Sequence, residues 1–307
     1  MKDLIFSICI PTCKRPDILR ETLKSIYSQD TQSSLFEVCI SDNSDTDETE
    51  ELIKNEFGNI ANLVYKRSDC KCFFNSIEAL KLGKGRFLKL LNDYSVLKEN
   101  SLEKFITSVR NLKSPESVIF YSMHALRKQK VLQEFGNFND FLYDISYYST
   151  WSTSFAIWKK DFDCLIQSDI EIDYMYPHTS FLFALTDKKQ YIVDDYEYVT
   201  NLQPKKKGGY NLVDNFVRIY LTMVEELYHK NYICKKTYLK IKNQILWFVA
   251  DWKCQVKYND CFTFTFDNCN QIIRNKCGTG AVVKFEFKYF YHLCKYRLYS
   301  LIRENKN

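Results

Sequence analysis

Leu4-Ile5-Phe6-Ser7-Ile8-Cys9-Ile10 is an almost unbroken apolar run that stops at Pro11. A run this short fits a strand covered on both faces, as the middle of a parallel sheet requires. Pro16 suits the first position of a helix, where its missing N–H would be unpaired anyway. Ile18, Leu19, Leu23, Ile26 and Tyr27 then mark one helical face. A second strand, Val38-Cys39-Ile40, ends in Ser41-Asp42-Asn43. Strand, loop, helix and strand is the repeating unit of an open α/β sheet, which takes ligands at the carboxyl ends of its strands. Asp42 and Asn43 stand at such an end, one able to accept hydrogen bonds, the other to donate as well.

The alternation continues. Asp47 with Glu50 fits a capping box for a helix through Leu52, Ile53 and Phe57. Leu63-Val64-Tyr65 reads as a third strand, 73–82 as a helix closed by Gly83 and Gly85, and Phe87–Leu91 as a fourth strand running into Asn92-Asp93-Tyr94-Ser95. The middle changes character. Val118–Tyr121, Val131–Phe135 and Thr153–Trp158 look like strands, followed by a helix over 178–187 and a strand at Tyr191–Val193. These are expected to form an antiparallel extension of the sheet. Pro204-Lys205-Lys206-Lys207-Gly208-Gly209 is the clearest break, and long helical patterns follow at 211–230, 235–256 and 281–303. The expected organisation is an α/β domain over 1–204 and a helical region over 205–307.

Composition narrows the class. The 307 residues are 46% hydrophobic and 26% charged, as in ordinary globular proteins. A net charge of +5, with 38 acidic residues diluting the basic ones, argues against a nucleic-acid binder. Of the 12 cysteines, Cys9 and Cys39 fall inside apolar runs, and Cys70-x-Cys72 has no CxxC partner or nearby His, so reduced thiols are expected and a zinc site has weak support. No leader or membrane-length run is visible, so a cytoplasmic protein is expected.

Ser7-Ile8-Cys9-Ile10-Pro11-Thr12, Ser41-Asp42-Asn43-Ser44 and Lys84-Gly85-Arg86-Phe87 leading into Leu91-Asn92-Asp93 resemble the nucleotide-binding half of family 2 glycosyltransferases. The likeness is greatest to the abequosyltransferase-like branch, which builds bacterial surface polysaccharides. It covers about 4–110 well and 150–200 loosely. It implies a GT-A (Rossmann-like) α/β fold with a mixed, mostly parallel sheet and a helical C-terminal extension. It also implies a nucleotide-sugar donor, a glycan or lipid-linked acceptor and inversion at the anomeric carbon. In that likeness Pro11 and Thr12 approach the nucleotide through backbone atoms and Asp42 binds the base. Lys14, Arg15, Asn43, Asn75, Lys81, Asn92 and Asp93 complete the expected donor-binding set. Relatives carry two or three aspartates at 92–95 to hold Mn²⁺ or Mg²⁺ against the diphosphate. This chain offers Asp93 alone: a single carboxylate can hold Mg²⁺ when phosphates supply the other ligands, but the position that usually meets the metal most directly is Tyr94. Lys205, Lys206 and Lys207, followed by a Gly-Gly hinge, are candidates for a lid over the diphosphate, since charge builds there as the bond breaks.

An inverting transfer needs one general base at the acceptor hydroxyl. The family carboxylate opens a helix at a place matched here by His178, and a His titrates near neutrality. Asp173, in the preceding loop, is the other candidate. Trp151 and Ser152 resemble the segment that meets the acceptor, where an aromatic ring stacks on a sugar. Toward the C-terminus, Lys284, Lys288, Lys295, Arg297 and Arg303 interleave with aromatics, and no acidic residue occurs between Glu286 and Glu304. Such a helix suits an anionic membrane surface on the cytoplasmic side, reached through 281–303. Two rivals remain: a degenerate GT-A protein that only binds nucleotide sugar or glycan, and a nucleotidyltransferase. The second would need a glycine-rich loop after the first strand, whereas Cys13-Lys14-Arg15 has no glycine.

Overall fold

The computed structural model describes residues 4–112, 116–204 and 207–304. They form two compact units, Met1–Gln203 and Pro204–Asn307.

The strands of the first unit are β1 (Phe6–Thr12), β2 (Phe36–Asp42), β3 (Leu63–Arg67), β4 (Phe87–Leu90), β5 (Ser95–Leu97), β6 (Ser117–Tyr121), β7 (Leu132–Phe135), β8 (Ala156–Trp158), β9 (Gln190–Asp194) and β10 (Val199–Asn201). Its helices are α1 (Pro16–Tyr27), α2 (Glu48–Leu52, continued by a π-helical turn), α3 (Asn75–Leu82), α4 (Ser101–Arg110), α5 (Phe138–Ile145), α6 (Lys159–Ile166) and α7 (Pro177–Ala184). The main sheet has five strands in the order β3-β2-β1-β4-β8. β1 is central and parallel to both β2 and β4, while β8 closes the edge antiparallel to β4. The apolar run thus becomes the middle strand: Phe6, Ile8 and Ile10 are buried against Leu19, Leu23 and Ile26 of α1. Burying each such side chain stabilises by roughly 1.5–3 kcal/mol. Phe6 also stacks on Phe105 of α4, with ring centres 5.6 Å apart.

The register aligns Thr12 with Asp42, so the carboxyl ends of β1 and β2 are level. At the opposite end, Glu37 accepts from Ser7 Oγ at 2.7 Å and from the Gly85 N–H at 3.1 Å. A Cβ on Gly85 would lie 2.7 Å from Ser7 Oγ and 2.9 Å from the Phe6 carbonyl carbon, so only glycine lets this turn close on β1.

Four expectations need correction. Of the strands expected to extend the main sheet, β8 alone does so. β6, β9 and β7 form a separate three-stranded sheet in which β6 and β9 are parallel. Parallel partners need a crossover, supplied by the stretch holding α5, α6 and α7. Asp47 does not cap α2; it pairs with Arg67. The second unit is not purely helical. Its strands β11 (Lys207–Asn211) and β12 (Phe262–Thr265) pair in parallel beside α8 (Leu221–His229), α9 (Lys235–Tyr258), α10 (Cys269–Cys277) and α11 (Thr279–Glu304). Gly208 and Gly209 therefore belong to a strand rather than a hinge, and a Cβ on Gly208 would lie 2.6 Å from the Phe264 nitrogen.

Candidate active site

Three strand ends meet at one edge of the main sheet. Asn75, the first residue of α3, is buried and ties the ends of β1 and β2 together. Its Nδ2 donates to the carbonyls of Thr12 and Ser41, both at 2.9 Å, and its Oδ1 accepts from Ser41 Oγ at 2.7 Å. Its Nδ2 also lies 3.1 Å from Asn43 Oδ1, and Asn43 in turn donates to the Cys70 carbonyl at 3.2 Å. Lys14 takes a left-handed backbone (φ 53), and its N–H donates to Ser44 Oγ at 2.7 Å. The β1 and β2 loops are thereby latched to one another.

Asp42 is 0% exposed. Its Oδ1 accepts from the N–H and Oγ of Ser44, and its Oδ2 from Tyr65 OH at 2.9 Å. Both oxygens of the side chain expected to read a base are thus engaged within the protein.

Beyond β4, Asp93 is 1% exposed. Its Oδ2 accepts from Thr12 Oγ1 at 2.8 Å and meets Nε of Arg15 at 3.0 Å, while its carbonyl accepts from Thr22 Oγ1 at 2.7 Å. Burial pushes the carboxyl up to about 6, against the opposing pull of Arg15 and Thr12. Asn92 donates to Tyr94 OH at 2.9 Å and accepts from Ser152 Oγ at 2.7 Å. The Arg15 guanidinium lies 5.7 Å from the centre of the Tyr94 ring.

Ser152 brings in the segment before β8. Trp151 is 37% exposed and meets Tyr148 edge-on at 4.8 Å; Tyr148 stacks on Tyr147. Helix α7 anchors the segment from beneath. His178 Nε2 lies 2.9 Å from the Thr150 carbonyl, and Thr179 Oγ1 donates to the Ser149 carbonyl at 3.0 Å. A nitrogen facing a carbonyl carries the proton, so Nε2 is the donor. Lys89 of β4 secures the other side. Its buried ammonium donates to the Leu90 carbonyl at 2.8 Å and to that of Thr153, and burial lowers its pKa well below the usual lysine range.

Comparison with known proteins now bears on this edge. Residues 7–113 match glycosyl transferase family 2. Abequosyltransferase RfbV of Salmonella typhimurium is 33% identical over 104 residues, which span 32% of this chain and 31% of that protein. The chain therefore spans about a third of the length of this curated relative. Staphylococcus aureus TarS 1-349, solved in complex with UDP-GlcNAc, superposes with a TM-score of 0.63 at 15% identity, over 96% of this chain and 92% of that one. A mannosyltransferase from Pyrobaculum calidifontis, in complex with GDP-Man and Mn²⁺, gives 0.54 at 11% identity, over 95% and 88%. The family resemblance seen in the sequence is borne out, and the fold is GT-A.

Within that fold the structure gathers Thr12, Lys14, Arg15, Asn43, Asn75, Asn92, Asp93 and Ser152 around the strand ends. Pro11, in register with Ser41, lies just behind. It separates others. Lys81 is exposed in the last turn of α3 and pairs with Glu78, about 9 Å along the helix from Asn75. Lys205 and Lys206 lie outside the described residues. Lys207 opens β11, its N–H bonded to the Cys261 carbonyl at 3.0 Å. His178 is buried, and its pKa is pushed down to about 4 by loss of water. A ring so enclosed, with Nε2 committed to a carbonyl, positions the Thr150–Ser152 segment rather than meeting an acceptor. Asp173 stays half-buried in the loop before α7, its Oδ1 held by the N–H groups of Met175 at 2.8 Å and Tyr176 at 3.0 Å.

Thr22 and Tyr65 also hold this edge, though neither stands among the residues expected there. Thr22 had a signal: it shares a helical face with Leu19 and Ile26, and a hydroxyl on an apolar face wants a buried partner. Tyr65 had none, because its partner lies on another strand.

The metal implied by the resemblance has a poor seat. Hard cations want several oxygen ligands, and among the described residues no group of three or more His, Cys, Asp or Glu could hold one. Asp93 offers a single carboxylate that already meets a guanidinium.

Proposed function

We propose that this chain is an inverting glycosyltransferase that moves a sugar from a nucleoside diphosphate to a hydroxyl of a bacterial surface glycan or its lipid-linked precursor. The observation that carries the reading is the latched edge where Thr12, Asn43, Asn75 and Asp93 converge, inside the segment that matches the family. TarS and the Pyrobaculum enzyme, whose fold this chain shares, bind UDP-GlcNAc and GDP-Man. In the proposed step the acceptor oxygen attacks the anomeric carbon while the bond from that carbon to the diphosphate oxygen breaks. The diphosphate leaves with the bonding electrons, and the acceptor proton passes to a carboxylate. We assign that carboxylate to Asp173, since one oxygen is fixed by backbone donors and the group keeps access to solvent. Trp151 and Tyr148 offer a ring face for the acceptor sugar. Incubating the chain with UDP-, CDP-, GDP- and dTDP-sugars and a surface-glycan acceptor, with product read by mass, tests the assignment. Donor binding without transfer or hydrolysis, with or without Mn²⁺, would favour a binding protein that has lost catalysis, a reading motivated by the single carboxylate at 92–95. Asp173→Asn should lower kcat by about 10²–10⁴-fold and leave donor binding unchanged.

A second part of the proposal concerns α11. Val283, Phe287, Phe290, Tyr291 and Leu298 are all more than half exposed, and their spacing puts them along one side of the helix. Lys284, Lys295 and Arg297 are exposed beside them, whereas Phe285 and Lys288 turn inward, Lys288 Nζ lying 3.9 Å from the Trp247 ring. An apolar stripe flanked by cations suits an anionic bilayer surface. Among the described residues no helix is long and apolar enough to cross a membrane. The full chain should float with vesicles containing phosphatidylglycerol and sink with pure phosphatidylcholine. Phe287→Glu combined with Phe290→Glu should abolish flotation; unchanged flotation would remove the membrane reading.

A further inference from the structure

The leaving diphosphate needs positive charge, and the segment where relatives place a metal does not suit one. Its sole carboxylate is sunk to 1% exposure and shared between Thr12 Oγ1 at 2.8 Å and Arg15 Nε at 3.0 Å. The residues on either side are an amide and a phenol bonded to each other at 2.9 Å. A divalent ion placed on Asp93 would sit beside the guanidinium and be repelled by it. The carboxylate already has its cation.

The orientation of that cation matters. Arg15 meets Asp93 through Nε, a contact that leaves the end-on edge of the guanidinium, one N–H from each terminal NH₂, directed elsewhere. The side chain is 35% exposed at the carboxyl end of β1 and lies over Tyr94. Two parallel N–H donors in a fixed plane match phosphate oxygens. We propose that Arg15, oriented by Asp93 and Thr12, binds the diphosphate of the donor in the place of a metal ion, and that diphosphate recognition by this chain needs no divalent cation. This rests on the transferase reading for the class of ligand. It also gives Asp93 a role other than metal ligand: it fixes a guanidinium.

Calorimetric titration of the full chain with UDP, GDP, CDP and dTDP, and with the matching nucleosides, tests it in EDTA and in MnCl₂. At least one diphosphate should bind with the same Kd, within about twofold, in both buffers. Arg15→Gln should weaken that diphosphate at least about tenfold while leaving its nucleoside unchanged, as loss of charge-assisted hydrogen bonds requires. Arg15→Lys should fall between, keeping the charge and losing the fork. Unchanged melting temperatures of both variants would exclude a folding defect, and the metal comparison on the unaltered chain stands whether or not they fold. Diphosphate binding that needs Mn²⁺, or that survives Arg15→Gln intact, would overturn the inference and leave the transferase reading standing. Absence of binding by every nucleotide in both buffers would overturn that reading, and the inference with it.

Discussion

Asp42 accepts hydrogen bonds from Ser44, which is buried with it, and from the half-buried Tyr65. Asp42→Ala strands the buried N–H and hydroxyl of Ser44, each at a cost of about 1–3 kcal/mol. We expect a loss of about 3 kcal/mol or more in urea unfolding, with nucleotide binding weakened through the loosened loop. His178 gives a pH test. Its ordinary value is 6.5 and burial holds the folded value near 4. The neutral ring is therefore favoured in the folded protein. Its contribution is complete above 6.5 and is lost as pH falls from there toward 4, about 3 kcal/mol in all. His178→Gln should flatten that part of the stability–pH curve, and an unchanged curve would show that another group carries the acid sensitivity. Much of this was hidden from the sequence. Ser41-Asp42-Asn43 announces a strand end, but the direction of the Asp42 carboxylate is decided by Tyr65 from β3. His178 likewise looks reactive until Phe155 and the Thr150 carbonyl enclose it.

Among the elements, the parallel core was the most legible part, because strands buried on both faces leave continuous apolar runs. β1, β2 and β4 were placed from that pattern, and α1 from Pro16 and its single apolar face. The sheet of β6, β9 and β7 was not, since pairing between Ser117–Tyr121 and Gln190–Asp194 is a matter of distant partners, not local composition. Glycine positions carry more information than their number suggests. Gly85→Ala should destabilise the first unit by about 1–3 kcal/mol through the clash with Ser7, read as a lowered melting temperature. Gly136→Ala, where a Cβ meets nothing within 4 Å, should be close to neutral and serves as the control.

For the molecule as a whole, the latched edge of the main sheet is built from residues of Met1–Gln203, while the exposed stripe of α11 belongs to Pro204–Asn307. A chain ending at Gln203 should keep nucleoside-diphosphate binding and lose vesicle flotation; loss of both would mean that the edge depends on the second unit. The lysine at position 89 offers a handle on cooperative opening. Its amine is sealed among backbone oxygens with 1% exposure, so acylating reagents should pass it by while surface amines react within minutes. Its modification would then report how often the entire sheet comes apart, a clock already built into the middle of the protein.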